Sequence, residues 1–322
     1  MNFWKDKKVL VTGGTGFVGS HFVLQLLEAG ARVSVPIHRR EPKAWKLGQV
    51  KTFSADLEDP RACREALAGQ EIVVHAAGAV SAAGVTTGSN PFSPITTNLI
   101  LTANVLEAAW AVQSERILIF GSSTGYPETS HPVAEEEMWS GPPHSSYFGY
   151  GWMRRYLEKM AEFVQLRGGR GVALVRPTAT YGPFDDFEPA TSHVIPALVR
   201  RAVGRETPFV VWGTGAEERD FLYIEDLVRG SLLVLEKHAV CDPVNLGYGK
   251  AILIRQIVEI ILGITGHKTE PVFRTDRPTT IPRRLVDCRK AGQLLGFVPQ
   301  VDLVDGLQKT VSFYTSSKKK NR

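Results

Sequence analysis

Three glycines, Gly13, Gly16 and Gly19, are spaced Gly-x-x-Gly-x-x-Gly just after a short apolar run. Glycines at that spacing permit a tight turn and a close backbone approach. A helix that starts inside the repeat turns its free N–H groups and partial positive charge toward an anion such as a pyrophosphate. Arg39 and Arg40 stand where a dinucleotide site that prefers NAD would place an acidic residue for the ribose 2′-hydroxyl. Arginine accommodates a 2′-phosphate instead, so NADP is expected in preference to NAD. Asp56, in Ser-Ala-Asp-Leu-Glu-Asp, is placed to accept from an adenine amino group, and Ala76, Ala77 and Gly78 after His75 are small enough for a cofactor to lie close. The competing readings are a purely structural glycine turn and arginines that only coat a surface loop.

These residues need a scaffold, and the apolar pattern supplies one. Lys8 to Thr12 reads as a strand, Phe17 to Ala29 as an amphipathic helix closed by Gly30, and Ala31 to Ile37 as a second strand. Further strands are expected near Val50 to Phe53, Glu71 to His75, Arg116 to Phe120 and Val172 to Arg176, with helices over Asn98 to Ala111 and about Tyr147 to Leu166. Alternation of this kind builds an α/β fold, a Rossmann-type doubly wound parallel sheet covered on both faces. Beyond Tyr181 the rhythm loosens into Pro208 to Trp212, helices at Ile224 to Glu236 and Ile254 to Leu262, and a proline-rich stretch from Pro271 to Pro282. The expected division is a cofactor domain over 1–180, a smaller C-terminal α/β substrate lobe over 181–315 from which some segments return to the first domain, and a basic disordered tail over 316–322.

The 322 residues are 43% hydrophobic and 22% charged, an ordinary globular composition. The formal charge of +5 is concentrated in Lys318, Lys319, Lys320 and Arg322, so the body is nearly neutral and no nucleic-acid partner is expected. Met1 to Gly14 has no apolar leader core, and no uncharged run is long enough to span a bilayer, so a cytoplasmic protein without a membrane partner is expected. Cys63, Cys241 and Cys288 are far apart and lack metal-ligand spacing, which implies neither disulfide nor zinc.

Several segments together carry a resemblance. Thr12-Gly-Gly-Thr-Gly-Phe-Val-Gly19, His75-Ala-Ala-Gly78, Gly121-Ser-Ser-Thr-Gly-Tyr-Pro127, Tyr150 on a helix, and Arg176-Pro-Thr-Ala-Thr-Tyr-Gly-Pro183 resemble the extended short-chain dehydrogenase/reductases, the NAD-dependent epimerase/dehydratase family, over nearly the whole chain. Thr191 to Arg201, Val210 to Gly215 and Arg219 to Asp226 resemble its GDP-fucose synthase-like branch of nucleotide-sugar enzymes. The resemblance implies hydride exchange at a sugar carbon, with Ser122 orienting the reacting hydroxyl and Tyr150 moving its proton. The lysine expected four residues after that tyrosine is Arg154, which keeps the charge but is planar and does not deprotonate. Phe17, Val18, Leu57, Asn98 and Pro177 are implied as further cofactor contacts. Ser123, Val194, Arg201, Trp212, Arg219 and Arg284 are implied as substrate contacts, the arginines suiting a diphosphate.

The same resemblance narrows the reaction. Where sugar 4,6-dehydratases carry an Asp-Glu pair, this chain has Ser123 and Thr124, so the elimination lacks its acid and base. Thr124 also stands where a 3,5-epimerising relative has a cysteine that works with the histidine matched by His193. A threonine hydroxyl has no comparable acidity. The leading expectation is an NAD(P)-dependent reductase or epimerase acting at carbon 4 of a nucleoside-diphosphate hexose, as a homodimer. The alternatives are an NAD(P)- and nucleotide-sugar-binding protein that has lost or altered its catalysis, a sugar-nucleotide dehydratase, and a dehydrogenase of lipids or steroids with an apolar pocket.

Overall fold

The computed structural model describes residues 2–79, 92–168, 171–276 and 281–320. Apolar runs too short for helices form the strands β1 (Lys8–Thr12), β2 (Arg32–Ile37), β3 (Lys51–Ser54), β4 (Ile72–His75), β5 (Arg116–Phe120) and β6 (Gly171–Pro177). Between them run helices α1 (Phe17–Glu28), α2 (Pro60–Leu67), α3 (Ser93–Ala111) and α4 (Phe148–Gly168). Helix α2 starts on an Asp-Pro signal: the Asp59 side chain accepts from Arg61 N and Pro60 occupies the first turn.

After β6 come β7 (Ala179–Tyr181), α5 (Val194–Val203), β8 (Phe209–Trp212), β9 (Glu218–Arg219), β10 (Phe221–Tyr223), α6 (Ile224–Lys237) and β11 (Val244–Leu246). The chain continues with β12 (Ile252–Leu253), α7 (Ile254–Thr265), β13 (Pro271–Arg274), β14 (Arg283–Arg284), α8 (Arg289–Leu295) and α9 (Leu303–Lys320). Seven strands form one parallel sheet in the order β11-β6-β5-β4-β1-β2-β3. This is a Rossmann-type doubly wound sheet.

Side chains on the central strands alternate between two apolar layers, as strands covered on both faces require. Val9, Val11 and Val74 pack with Phe22, Leu26, Val228 and Val234 on one side. Leu10, Val73 and Ile117 pack with Leu67, Val105, Leu106 and Ala161 on the other. From β1 the chain winds outward through β2 and β3, then returns to begin the other half at β4. The switch point therefore lies between β1 and β4, where Thr12 and His75 are register partners, and the crevice beyond it is where ligands bind in such sheets.

The later segments build small pairings around that crevice: β7 with β10, β8 with β13, and β12-β9-β14. Two segments from beyond 181 nonetheless belong with the large sheet, since β11 pairs with β6 and α6 packs in the first apolar layer. The basic stretch from Ser316, expected to be disordered, is helical as far as Lys320. Phe313 and Tyr314 anchor that end by packing on Phe184 and Phe187 at ring-centroid distances of 4.5 and 4.6 Å. Lys318 and Lys319 then stand in the C-terminal turn, at the negative end of the helix dipole.

Candidate active site

The glycine turn is built for close approach. Gly13 has φ +66°, and a Cβ there would lie 2.7 Å from the Ala76 carbonyl and the Ala77 backbone, so the turn and the small residues after β4 are pressed together. Gly19 leaves no room either, since a Cβ on it would strike the Gly13 carbonyl. Gly16 differs: its nearest obstacle is that same carbonyl at 3.2 Å, and it precedes α1 without any side-chain cap. No acidic residue occupies the first turn at Phe17 and Val18, so the free N–H groups there fit a pyrophosphate. Arg39 and Arg40 are exposed and make no ion pair among the described residues. Asp56 faces His38 at 3.7 Å across the ends of β2 and β3.

Beneath the turn, Ala77 N donates to Thr12 Oγ1 at 3.1 Å, Thr12 Oγ1 lies 2.9 Å from His75 Nδ1, and His75 Nε2 lies 3.1 Å from Thr102 Oγ1. Burial, and then the charge of Arg154, push His75 down to about 3, so this imidazole is neutral and ties β1, β4 and α3 together. Asn98 is buried and donates to the Ala79 carbonyl at 2.7 Å, with its Oδ1 lying over Gly78. It shapes the loop after β4 through its own hydrogen bonds. Leu57 is a core residue packed with Cys63 and Leu67, and its carbonyl accepts from Asn104.

At the end of β5 the chain turns through Ser122, whose Oγ accepts from Thr124 N at 3.1 Å and from Thr124 Oγ1 at 2.8 Å. Helix α4 is packed directly on this turn, because a Cβ on Gly151 would lie 2.7 Å from the Thr124 carbonyl. On the second turn of α4, four residues after Tyr150, Arg154 donates to Tyr150 Oη at 2.5 Å and to the Phe120 carbonyl at 3.2 Å. Its guanidinium also stands 4.9 Å from the Tyr150 ring centroid. Arg154 therefore fastens the phenol to the end of β5, a two-point contact that the single ammonium of lysine does not reproduce. Pro177 closes β6 next to this strand end.

A buried polar network that the motif reading did not single out supports the turn. Arg155 donates to the Gly125 and Gly141 carbonyls at 2.7 and 2.6 Å. Arg176 pairs in parallel with Glu158 at 2.9 and 2.7 Å and donates to Tyr126 Oη, which in turn donates to Asn245 Oδ1 at 2.6 Å. A fully paired buried ion pair of this kind resists opening, because removing one partner strands a charge. The available sequence signal was charge inside an apolar strand and helix, at Arg176 and Glu158.

Arg219 and Arg284 face each other as register partners on β9 and β14. Arg219 donates to the Glu218 and Pro282 carbonyls at 2.8 and 3.2 Å. Burial, and then the charge of Arg284, bring it down to about 10 against the opposing pull of Tyr147 and Glu217. The Arg284 guanidinium stands 4.9 Å from the Tyr147 ring centroid, and its buried Nη1 has no hydrogen-bond partner. Tyr147, Ser123, His144 and Arg284 line one narrow cleft, so Arg284 borders the turn that follows Ser122.

His193, just before α5, is exposed. Desolvation, helped by Arg284 and opposed by Asp186, holds its imidazole below the usual histidine range. Val194 is exposed on the first turn of α5, and Trp212 is 57% exposed at the end of β8. Arg201, expected as a third diphosphate arginine, is instead engaged within the fold. Its Nε lies 2.9 Å from both Glu206 carboxylate oxygens, its Nη1 donates to the Val210 carbonyl, and its guanidinium covers Phe209.

Fold and site together define a dinucleotide-binding α/β protein of the Rossmann type, with a tyrosine-bearing helix at the crevice. Residues 9–247 match the model of the NAD dependent epimerase/dehydratase family, and the chain belongs to that family. It is 32% identical to the probable GDP-L-fucose synthase 1 of Oryza sativa subsp. japonica, over 98% of this chain and 95% of that one. It is 28% identical to a dTDP-4-dehydro-6-deoxy-D-allose reductase of a Streptomyces species, over 98% of each. Among solved structures, the UDP-glucose 4-epimerase of Thermotoga maritima with UDP-glucose superposes with a TM-score of 0.85 at 26% identity, covering 96% of this chain and 99% of that one. Among the described residues no helix is long and apolar enough to cross a membrane, and no cluster of potential metal ligands is present.

Proposed function

We propose that the protein is an NADP-dependent reductase or epimerase acting at carbon 4 of a nucleoside-diphosphate hexose. The observation that carries this reading is Arg154 holding Tyr150 Oη at the end of β5, together with Arg284, register partner of Arg219, beside Ser123 on the next turn. The nicotinamide, when bound, supplies the acceptor or donor of hydride. Gly13, Gly16 and the first turn of α1 hold the pyrophosphate, and Arg39 and Arg40 take the 2′-phosphate. Ser122 orients the carbon-4 oxygen, and Tyr150 gives or takes its proton. Arg154 stands where the phenolate charge develops.

Thr124 donates its hydroxyl to Ser122 Oγ, which suits orientation of that serine and not carbon acid/base work. His193, which lies near Arg284, serves as a hydrogen-bonding substrate ligand. The Arg219 and Arg284 pair favours an anionic substrate over a lipid or steroid, since two guanidiniums brought together in a partly desolvated place are stabilised by a diphosphate between them. Calorimetric titration with NADP and NAD, each repeated with GDP, UDP, CDP and dTDP, tests the reading. NADP should bind with one nucleoside diphosphate. Binding of a dinucleotide with none of the four would overturn the nucleotide-sugar assignment.

A homodimer through α3 and α4 belongs to the same reading. Helix α4 presents Phe148, Trp152, Tyr156, Phe163 and Leu166 on one exposed stripe, and α3 adds Ile100 and Trp110. Phe163→Glu should convert a dimer to a monomer in sedimentation equilibrium. A wild-type protein that sediments as a monomer would rule the dimer out.

A further inference from the structure

The segment between β2 and β3 begins with His38, Arg39 and Arg40 and is exposed over most of its length, with one large exception. Trp45 is only 5% exposed and belongs to the apolar cluster that contains Val11, Val23, Val33 and Val35. A buried indole must still satisfy its N–H. Trp45 does so by donating Nε1–H to the carbonyl of Gly14 at 2.9 Å.

Among the described residues, this is the hydrogen bond that joins segment 38–49 to the glycine turn. Gly14 is itself immobilised against β2, because a Cβ there would meet the two Val35 methyls at 2.8 and 2.9 Å. The stretch bearing Arg39 and Arg40 is therefore fixed at both ends: at one end by the exit of β2, at the other by an indole locked to the pyrophosphate turn. An exposed arginine pair on an untethered loop would have to be ordered each time a ligand binds, at an entropic cost that weakens affinity.

We propose that Trp45 is the positioning residue for cofactor choice, and that it presents Arg39 and Arg40 to the 2′-phosphate of NADP by tying their loop to Gly14. The inference rests on the NADP reading above. Trp45→Phe keeps an aromatic ring in the core and deletes the donor, leaving the Gly14 carbonyl without its partner. The expected result is a fall of about tenfold in the ratio of kcat/KM for NADP over NAD, the equivalent of one lost hydrogen bond and its buried acceptor. The loss should appear in KM for NADP and not in kcat. In an Arg39→Ala, Arg40→Ala background the same substitution should have no further effect on the ratio, because residues that act through one another are not additive.

If Trp45→Phe melts too early to assay, 3-benzothienylalanine at position 45 removes the N–H from a ring of nearly the same shape. The outcomes separate. An unchanged ratio in the double-arginine variant overturns the NADP reading, and the inference with it. A ratio that falls in that variant but not on loss of the indole N–H overturns the role of Trp45 alone. Equal weakening of both cofactors on loss of the N–H makes Trp45 merely structural, which also overturns the proposal.

Discussion

Tyr150→Phe should reduce kcat by roughly 10²–10⁴-fold, the usual contribution of a positioned acid or base, while the dissociation constant for NADP changes little. The phenyl ring preserves the contact with the guanidinium of Arg154, whose distance to the ring centroid is 4.9 Å, and removes only the hydroxyl that Arg154 touches. Arg154 also donates to the Phe120 carbonyl, so the end of β5 keeps one of its two ties in this variant. Single-turnover measurement of hydride transfer with saturating sugar nucleotide separates the outcomes. Full activity in Tyr150→Phe would remove the phenol from the mechanism. Loss of cofactor binding along with activity would mean that the substitution had disturbed the crevice.

Arg154 sharpens this test. With lysine there, a single ammonium would replace the fork by which Arg154 reaches Tyr150 Oη and Phe120 O together. Arg154→Lys retains the charge and gives up one of the two ties, so kcat should fall less in it than in Arg154→Met, which removes the charge. Equal loss in the two variants would mean that the fork geometry matters and the charge does not.

Much of this arrangement is legible in the residues, and the parts that are not share a cause. Apolar runs such as Lys8–Thr12 and Arg116–Phe120 announce parallel strands because burial on both faces demands continuous hydrophobicity. The glycine spacing announces its turn because few other residues tolerate φ +66° at Gly13 or the carbonyl pressed on Gly19. Arg201 shows the limit. An arginine in a matching segment reads the same whether it meets a ligand or a nearby carboxylate, and here Glu206, five residues on, claims it. The basic end of α9 is settled in a similar way by contacts from a distant segment, Phe184 and Phe187. Trp45 was silent in sequence because one tryptophan in a polar loop has no period.

Arg284→Gln should cost binding and return stability. In the wild-type fold Arg219 and Arg284 are opposite each other on paired strands, an unfavourable cross-strand placement of like charges. Burial first, and the charge of Arg284 second, pull Arg219 down from the usual arginine range. A base whose folded value lies below its ordinary one disfavours folding wherever it is charged, and the penalty is fully present across neutral pH and is relieved only as pH rises through the folded value.

The pair is thus strained at neutral pH, as expected where two guanidiniums are gathered to receive an anion. Arg284→Gln removes both the repulsion and the buried Nη1 that lacks a partner, so the protein should gain about 1 kcal/mol and melt a few degrees higher. The same change deletes charge-assisted hydrogen bonds to a diphosphate, worth about 1.5–3 kcal/mol, which corresponds to a rise in substrate KM of roughly 10–150-fold with kcat largely kept. Thermal melts with and without the nucleoside diphosphate read both effects at once: the variant should start higher and shift less on adding ligand. A variant that melts lower than wild type, yet shifts as much with ligand, would show that Arg284 braces β14 against β9 and takes no part in holding the substrate.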